Sequence, residues 1–384
     1  MMAHSAVLGD AHIGNNVIFS FGSMIMNEDV PDNSIVFGRS PDAKIVTIGP
    51  ERMREKIAVY WREAERENTE MDMVTKEDVQ AMLGEQEDLS ALANIDKYDL
   101  SYHKLGGAEA EREILQALKR IQTDTQVVGT PERTTVWEKG WGENLREFAD
   151  SLDIADLMPK YFRPDIAFRW QGHLVKSPNP RFEYELGNIL KQCLYELYAS
   201  DVSDIYEFGC GTGYNLVQMG QMFPKKHLHG LDLTESGIRV LSLLREKLGI
   251  DVDGQMFDFT KPDESLRLNP NSLVFTSAAL EQIGDRCRPF VDFLMGQSFK
   301  RCVHLEPIVE LYDEDDLLDY LAKSFHQKRH YLSGLLPYLQ ELEAAGKVTI
   351  EKIQRTHLGN FNHEGYTILV WHKTQLYGSE AYAG

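Results

Sequence analysis

Cysteine is scarce: Cys193, Cys210, Cys287 and Cys302 are the four in 384 residues, and no two form a C-x-x-C pair. That pattern excludes a zinc knuckle and a disulfide framework, and it predicts buried thiols in a reducing compartment. Long apolar runs are missing as well, with nothing near the roughly 18 residues that would span a bilayer. The N-terminus lacks the charged, apolar and small-residue succession of a signal peptide, so the expected location is cytoplasmic. Positive charge is in short supply, 40 Lys and Arg against 60 Asp and Glu, for a net charge of -20. Such an acidic balance argues against a nucleic-acid partner or an anionic membrane surface, both of which need clustered Lys and Arg. There is no H-E-x-x-H and no paired-acid cluster, so no metal is expected. What is present, 42% apolar residues, suffices for globular cores in two or three domains.

The chain is organised around Ile205-Tyr206-Glu207-Phe208-Gly209-Cys210-Gly211-Thr212-Gly213-Tyr214-Asn215. A short apolar run breaks into glycines at alternate positions and continues into Leu216-Val217-Gln218-Met219. This predicts a strand, a tight turn and a helix, the opening unit of an α/β nucleotide-binding sheet. Glycine there lets a ligand reach the backbone, and the following helix N-terminus offers unpaired N–H groups to it. A dinucleotide fingerprint reads G-x-G-x-x-G and a phosphate loop ends in G-K-[ST]. Here the pattern is E-x-G-x-G-x-G, without Lys. On these residues the chain resembles the class I S-adenosylmethionine-dependent methyltransferases, whose first motif is [DE]-x-G-x-G-x-G.

Companion motifs follow. Strands are expected at His227 to Asp232, Val252 to Phe257, Asn271 to Thr276 and Arg301 to Leu305, and Lys347 to Arg355 with Gly365 to His372 read as a hairpin rich in Val, Ile, Thr, Tyr and Trp. The expected fold class is α/β: a Rossmann-like methyltransferase sheet with a C-terminal antiparallel hairpin. Ligands of such sheets sit outside the carboxyl ends of the strands. The resemblance implies S-adenosyl-L-methionine as cofactor. It implies Gly209, Gly211 and Gly213 against the methionine part with Glu207 supporting the loop, Asp232 and Leu233 at the ribose, Asp258 and Phe259 at the adenine, and Ser277 at the end of the fourth strand.

A sulfonium methyl group needs an aligned nucleophile and exclusion of water more than covalent help. A hydroxyl acceptor needs a base, whereas an amine brings its own lone pair. Glu281, His326 and His330 are the candidate catalytic residues, because strand-end carboxylates and histidines titrating near neutrality serve as bases. Arg329, Tyr331, Glu306 and Arg169 are the candidate acceptor-binding residues, Arg being suited to a carboxylate or phosphate. The aromatic and Arg residues from Trp137 to Trp170, with Tyr161-Phe162-Arg163-Pro164 among them, either face a substrate cleft or pack a cap.

Near the start, Val7, Ile13, Phe19 and Ile25 recur every six residues, the rhythm of a β-helix with its apolar position turned inward. With Asp29-Val30-Pro31 through Ser34-Ile35-Val36-Phe37-Gly38 and Ser40-Pro41-Asp42-Ala43-Lys44, this stretch resembles the end of a left-handed β-helix, hexapeptide-repeat acyltransferase. So few coils make a small core. A segment used in packing or self-association is favoured over a working acyltransferase using His4 and His12, and the resemblance implies a homo-oligomer, a trimer. From Pro50 to Gln126 the chain reads as charged and helical, with an apolar stripe at Met53, Ile57, Tyr60 and Ala64 and an N-cap at Thr75. The expected division is 1–48 hexapeptide segment, 49–129 helical connector, 130–200 helical cap and 201–376 methyltransferase domain. The leading function is methyl transfer to a small molecule, a sugar or glycan hydroxyl or amine of surface polysaccharide. The alternatives are a non-catalytic cofactor-binding scaffold and a protein methyltransferase.

Overall fold

A computed structural model describes residues 6–8, 10–15, 17–19, 23–37, 40–53, 71–93, 95–128, 130–160 and 167–374. Expectations for His4, Ile57, Tyr60, Ala64 and 161–164, and for the side chain of Val7, lie outside the described residues. The chain divides into two compact units, Met1–Glu70 with Gly106–Ala108, and Met71–Leu105 with Glu109–Gly384.

The first unit contains β1 (Ala6–Leu8), β2 (Ile18–Phe19), β3 (Met24–Met26), β4 (Ser34–Phe37) and β5 (Lys44–Thr47). β1 pairs with β3 in parallel, Val7 opposite Ile25, and β2 pairs with β4 in parallel, Ile18 opposite Ile35. Asn27, Asp29 and Asp32 accept from the backbone N–H groups of Asp10, His12 and Asn15, each 17 residues earlier. Equal spacing at three successive places means that one rung repeats the path of the rung before it. Of the positions expected to point inward, Phe19 and Ile25 are buried together with Val30 and Val36, and Ile13 is half-buried against them. β5 turns back antiparallel on β4 and ends the parallel stacking.

In the second unit, two sheets and their helices share the apolar packing. The strands are β6 (Asp72–Met73), β7 (Ser101–Lys104), β8 (Phe168–Trp170), β9 (His173–Lys176), β10 (Asp204–Phe208), β11 (His227–Asp232), β12 (Val252–Met256), β13 (Ser272–Ser277), β14 (Arg301–Glu306), β15 (Val348–Arg355), β16 (Leu358–Gly359) and β17 (Thr367–Lys373). The helices are α1 (Lys76–Leu83), α2 (Gly107–Thr123), α3 (Pro131–Ser151), α4 (Phe182–Ala199), α5 (Tyr214–Met222), α6 (Glu235–Leu248), α7 (Arg288–Gly296), α8 (Leu317–Arg329) and α9 (Leu335–Ala344).

The larger sheet has seven strands in the order β12-β11-β10-β13-β14-β17-β15. Five run parallel, and β17 is antiparallel both to β14 and to β15. This is the α/β sheet with a terminal antiparallel pair that the sequence led us to expect. Period-2 alternation in β10 explains its two faces: Ile205 joins Leu190, Val217 and Leu241 on one side, while Tyr206 and Phe208 join Phe290, Phe293 and Leu336 on the other.

The region before this sheet departs from the helical expectation. A five-stranded sheet, β16-β8-β9-β7-β6, gathers strands from 72–104, 168–176 and 358–359. Strands of two to four residues are too short to show alternation over the charged background, which is why periodicity missed them. No helix among the described residues is long and apolar enough to cross a membrane.

Candidate functional site

The site forms where β10 to β14 end. β10 delivers the chain into a turn in which Gly209 (φ 74) and Gly211 (φ 54) take left-handed backbone conformations, a region that side chains disfavour. Space adds a second constraint. A Cβ on Gly209 would lie 2.3 Å from Ala279 Cβ and 3.4 Å from the Phe259 ring, and one on Gly211 would lie 2.9 Å from Trp141 Cζ2. Gly213 is the N-cap of α5.

Several expected cofactor residues converge on this turn. Asp232, buried at the end of β11, accepts the Gly211 N–H at 2.8 Å through Oδ2, and the Thr234 N–H at 2.9 Å and hydroxyl at 2.6 Å through Oδ1. Burial raises its pKa against the lowering effect of those donors. Phe259 packs its ring 4.8 Å from Phe290 and faces Gly209 across the contact given above. Asp258 accepts the Thr260 N–H and hydroxyl through Oδ1, at 2.8 and 2.7 Å. Its Oδ2 accepts from no group among the described residues. Leu233 is exposed, and Ser277 ends β13 half-buried.

Beneath the turn, Glu207 is buried with Oε1 accepting from Asn215 Nδ2 at 2.6 Å, while Lys191 Nζ donates to Asn215 Oδ1 at 2.9 Å. Glu207 Oε2 is buried without a partner. Burial pushes Glu207 up to about 8 and Lys191 down to about 8, each partly restrained by the other. The amide of Asn215 thus joins an acid and an amine through two hydrogen bonds. Neither Lys191 nor Asn215 was among the sequence candidates, because a Lys inside an amphipathic helix gives no motif.

These residues fit a nucleoside cofactor of the kind the resemblance implies. A Cβ at either Gly209 or Gly211 would collide with Ala279 or Trp141, so the turn keeps its backbone bare. Asp258 has a carboxylate oxygen with no partner among the described residues, and Glu207 holds an orphaned buried oxygen below the loop. Among the described residues no cluster of His, Cys, Asp and Glu is suited to a metal ion.

Next to the turn lies a cavity of about 310 Å³, whose walls include Arg133 and Trp137 of α3, Glu183 of α4, Glu281, Tyr331 and His363. Of the acceptor-side candidates, Glu281, Arg329 and Tyr331 line it. Burial, reinforced by the Glu306 carboxylate, pushes Glu281 up to about 8. Its Oε1 accepts from Gln282 Nε2 at 2.7 Å, and Gln282 Oε1 accepts from Arg133 Nη2 at 3.0 Å. Arg329 holds Asp124 through Nε and Nη2 at 2.8 and 2.6 Å, and Nη1 donates to the Tyr331 hydroxyl at 2.9 Å.

The other candidates lie elsewhere. Glu306 is fully buried behind the cavity wall, where it accepts the N–H groups of Ala279, Leu280 and Glu281 at 3.0, 3.1 and 3.3 Å. It anchors the turn that carries Glu281. Arg169 does not reach the cavity, because its guanidinium is taken up by the carbonyls of Leu318, Phe361 and Asn362 at 2.6, 3.4 and 3.0 Å. It thereby holds the loop that contributes Phe361, Asn362 and His363 to the wall. His330 is the exposed left-handed C-cap of α8 and does not line the cavity. His326 is buried one layer back, its Nε2 2.9 Å from His363 Nδ1, and burial takes it down to about 3. A histidine so depressed is neutral at every physiological pH.

Arg133, Glu183 and His363 are cavity residues that the sequence reading missed, whereas Trp137 belongs to the aromatic segment read as facing a cleft or packing a cap. For α3 a signal existed: Arg133, Trp137 and Trp141 are spaced i, i+4, i+8 and form one stripe. The Arg133 guanidinium lies 5.2 Å from the Trp137 ring centre, and Trp137 stacks on Trp141 at 5.3 Å. The stripe runs from the cavity to Gly211, over which Trp141 sits. His363 comes from a loop with no period to read.

No family model and no curated protein matches the chain. Among solved structures it is similar to geranyl diphosphate C-methyltransferase from Streptomyces coelicolor A3(2), at 10% identity and TM-score 0.40, over 65% of this chain and 99% of that one. It is similar to a SAM dependent methyltransferase from Aquifex aeolicus at 15% identity and TM-score 0.33, over 47% and 87%. The [4+2]-cyclase SpnF is similar at 11% identity and TM-score 0.40, over 65% and 97%.

Proposed function

We propose that the protein is an S-adenosylmethionine-dependent methyltransferase acting on a small molecule, with a sugar or glycan hydroxyl or amine as the acceptor class. The observation that carries this reading is the convergence of Gly209, Gly211, Asp232 and Phe259 at the carboxyl ends of β10 to β12. In it, Asp232 and Asp258 hold the nucleoside, and Gly209, Gly211 and Gly213 bring the backbone of the turn against the methionine part. When bound, the cofactor supplies an electrophilic methyl group on a sulfonium.

The rest is the work of this chain. α3 covers the turn with Trp141 and excludes water from it. Glu281 takes the acceptor proton at Oε2, the oxygen that Gln282 leaves free. Gln282 orients that carboxylate, and Arg133 orients Gln282. The parallel rungs of the first unit support a further proposal, that they are the end of a left-handed β-helix and assemble the protein as a trimer. If removal of residues 1–46 leaves the mass by light scattering unchanged, assembly through the rungs is wrong.

The cofactor assignment is tested by calorimetric titration with S-adenosylhomocysteine. Binding tighter than about 100 μM, roughly −5.5 kcal/mol, is expected, and Asp258→Asn, which keeps an oxygen for the Thr260 N–H and hydroxyl, weakens it. A folded wild-type protein that does not bind overturns the reading.

A further inference from the structure

The cavity beside the glycine turn holds several hydrogen-bond donors without an acceptor, alongside the carboxyl groups of Glu183 and Glu281. Arg133 is in no ion pair among the described residues; its Nη2 goes to the neutral Gln282, and its Nε is buried without a partner. Arg329, in contrast, is spent on Asp124. The indole N–H of Trp137, in the same wall, is also buried and unpartnered. An unpaired buried donor forfeits its hydration without compensation, so two adjacent ones on a single helix turn mark a place completed by something else.

The histidine pair adds a third donor. One hydrogen lies between His326 Nε2 and His363 Nδ1, 2.9 Å apart, and His326 Nδ1 is buried with no partner. Were the hydrogen on His363, neutral His326 would carry its own hydrogen on Nδ1, an orphaned buried N–H. With the hydrogen on His326, Nδ1 is only an unused lone pair. Orphaned N–H groups are much the rarer of the two. His363 then keeps its hydrogen on Nε2, and no described residue accepts it. Tyr331, whose oxygen accepts from Arg329, has its own hydrogen to donate as well.

We propose that this cavity binds the anionic group of its small-molecule substrate, a carboxylate or a phosphate monoester, against Arg133, Trp137 and His363. This rests on the methyltransferase reading for the identity of the site and sharpens its acceptor class to acidic molecules. The anion pairs with Arg133, and the rings of Trp137, Tyr331 and Phe361 supply flat apolar walls for the body of the molecule. The cavity of about 310 Å³ holds on the order of ten waters' volume, room for an acidic group and the ring that carries it.

The test uses the full chain and ligand-observed NMR titration with 4-hydroxybenzoate, its amide, and phenyl phosphate, beside a titration with S-adenosylhomocysteine. At least one of the two anions is expected to bind tenfold or more tighter than the amide, and which one does so separates carboxylate from phosphate. Arg133→Gln removes that preference, Arg133→Lys restores part of it, and both variants keep the wild-type affinity for S-adenosylhomocysteine. Equal binding of acid and amide, or binding of neither while S-adenosylhomocysteine binds, overturns the anion site and leaves the methyltransferase reading standing. Anion preference without S-adenosylhomocysteine binding does the reverse.

Discussion

At the scale of single residues, the site is set by which polar groups are satisfied and which are not. Glu281 is held by a neutral amide rather than by a cation, so burial dominates and its pKa reaches about 8. As a base it works when deprotonated, so kcat/KM should rise with pH through about 8. Glu281→Gln is expected to lose about 10² to 10⁴-fold in rate together with that rise, while S-adenosylhomocysteine affinity holds. A pH–rate profile of both proteins checks this, and an unchanged rise in the variant would assign the base elsewhere. His304 offers a structural counterpart. Trp371 donates to its Nε2 at 3.0 Å, which puts the hydrogen on Nδ1, within 2.9 Å of the Thr276 hydroxyl. Trp371→Phe strips one bond from a fully buried trio and should cost about 1–3 kcal/mol in denaturant unfolding, without altering cofactor binding.

At the scale of elements, helix α8 is fixed at its start by a side chain. Asp316 caps α8 by accepting the N–H groups of Leu318 and Asp319 at 2.9 and 3.0 Å, and Arg329 and His326 sit in the last turn of that helix. Asp316→Ala should cost about 1 kcal/mol in the unfolding midpoint. It should also raise the acceptor KM, because the helix carries Arg329 to the cavity wall, while the S-adenosylhomocysteine affinity holds. The elements also show where sequence reading works. β10, β11 and the β15–β17 pair were legible because each is a run with one period, flanked by glycine or charge. β6 to β9 were not, because pairing partners far apart in the chain, such as His103 with Lys176, decide them.

At the scale of the whole molecule, the buried titratable groups set an optimum. Burial pushes Glu207 and Glu281 up to about 8, and Glu183 and Glu306 up to about 7. Above the ordinary pKa of a Glu the unfolded chain sheds protons that the folded chain keeps. Their contribution is therefore complete in acid and declines as pH rises through 7 to 8. Burial takes His304 and His326 down to about 3 and His363 well below its usual value. Below the ordinary pKa of His the unfolded chain takes up protons that the folded chain refuses, so that contribution is lost as pH falls. Without ligand, the melting temperature should be highest at about pH 5 to 6.5 and fall on both sides. A melting temperature that climbs from pH 6.5 to 9 in calorimetry would contradict this balance.

The amino-acid sequence by itself determined the α/β sheet, the glycine turn and the acids that follow its strands, because these depend on short-range periodicity and on backbone conformations open only to glycine. It also singled out Glu281, Arg329 and Tyr331, which line the cavity, since they fall just after strand ends or in the segment beyond β14. Only the tertiary structure decided that Arg169 and Glu306 hold the wall from behind, that His326 is sealed off as a neutral partner of His363, and that Arg133 has no carboxylate within ion-pair distance among the described residues. Whether a charged side chain faces a ligand or braces the fold depends on which distant carbonyl or carboxylate comes within about 3 Å of it. That distance exists only once β8, α3, α8 and the loop around Phe361 have packed together.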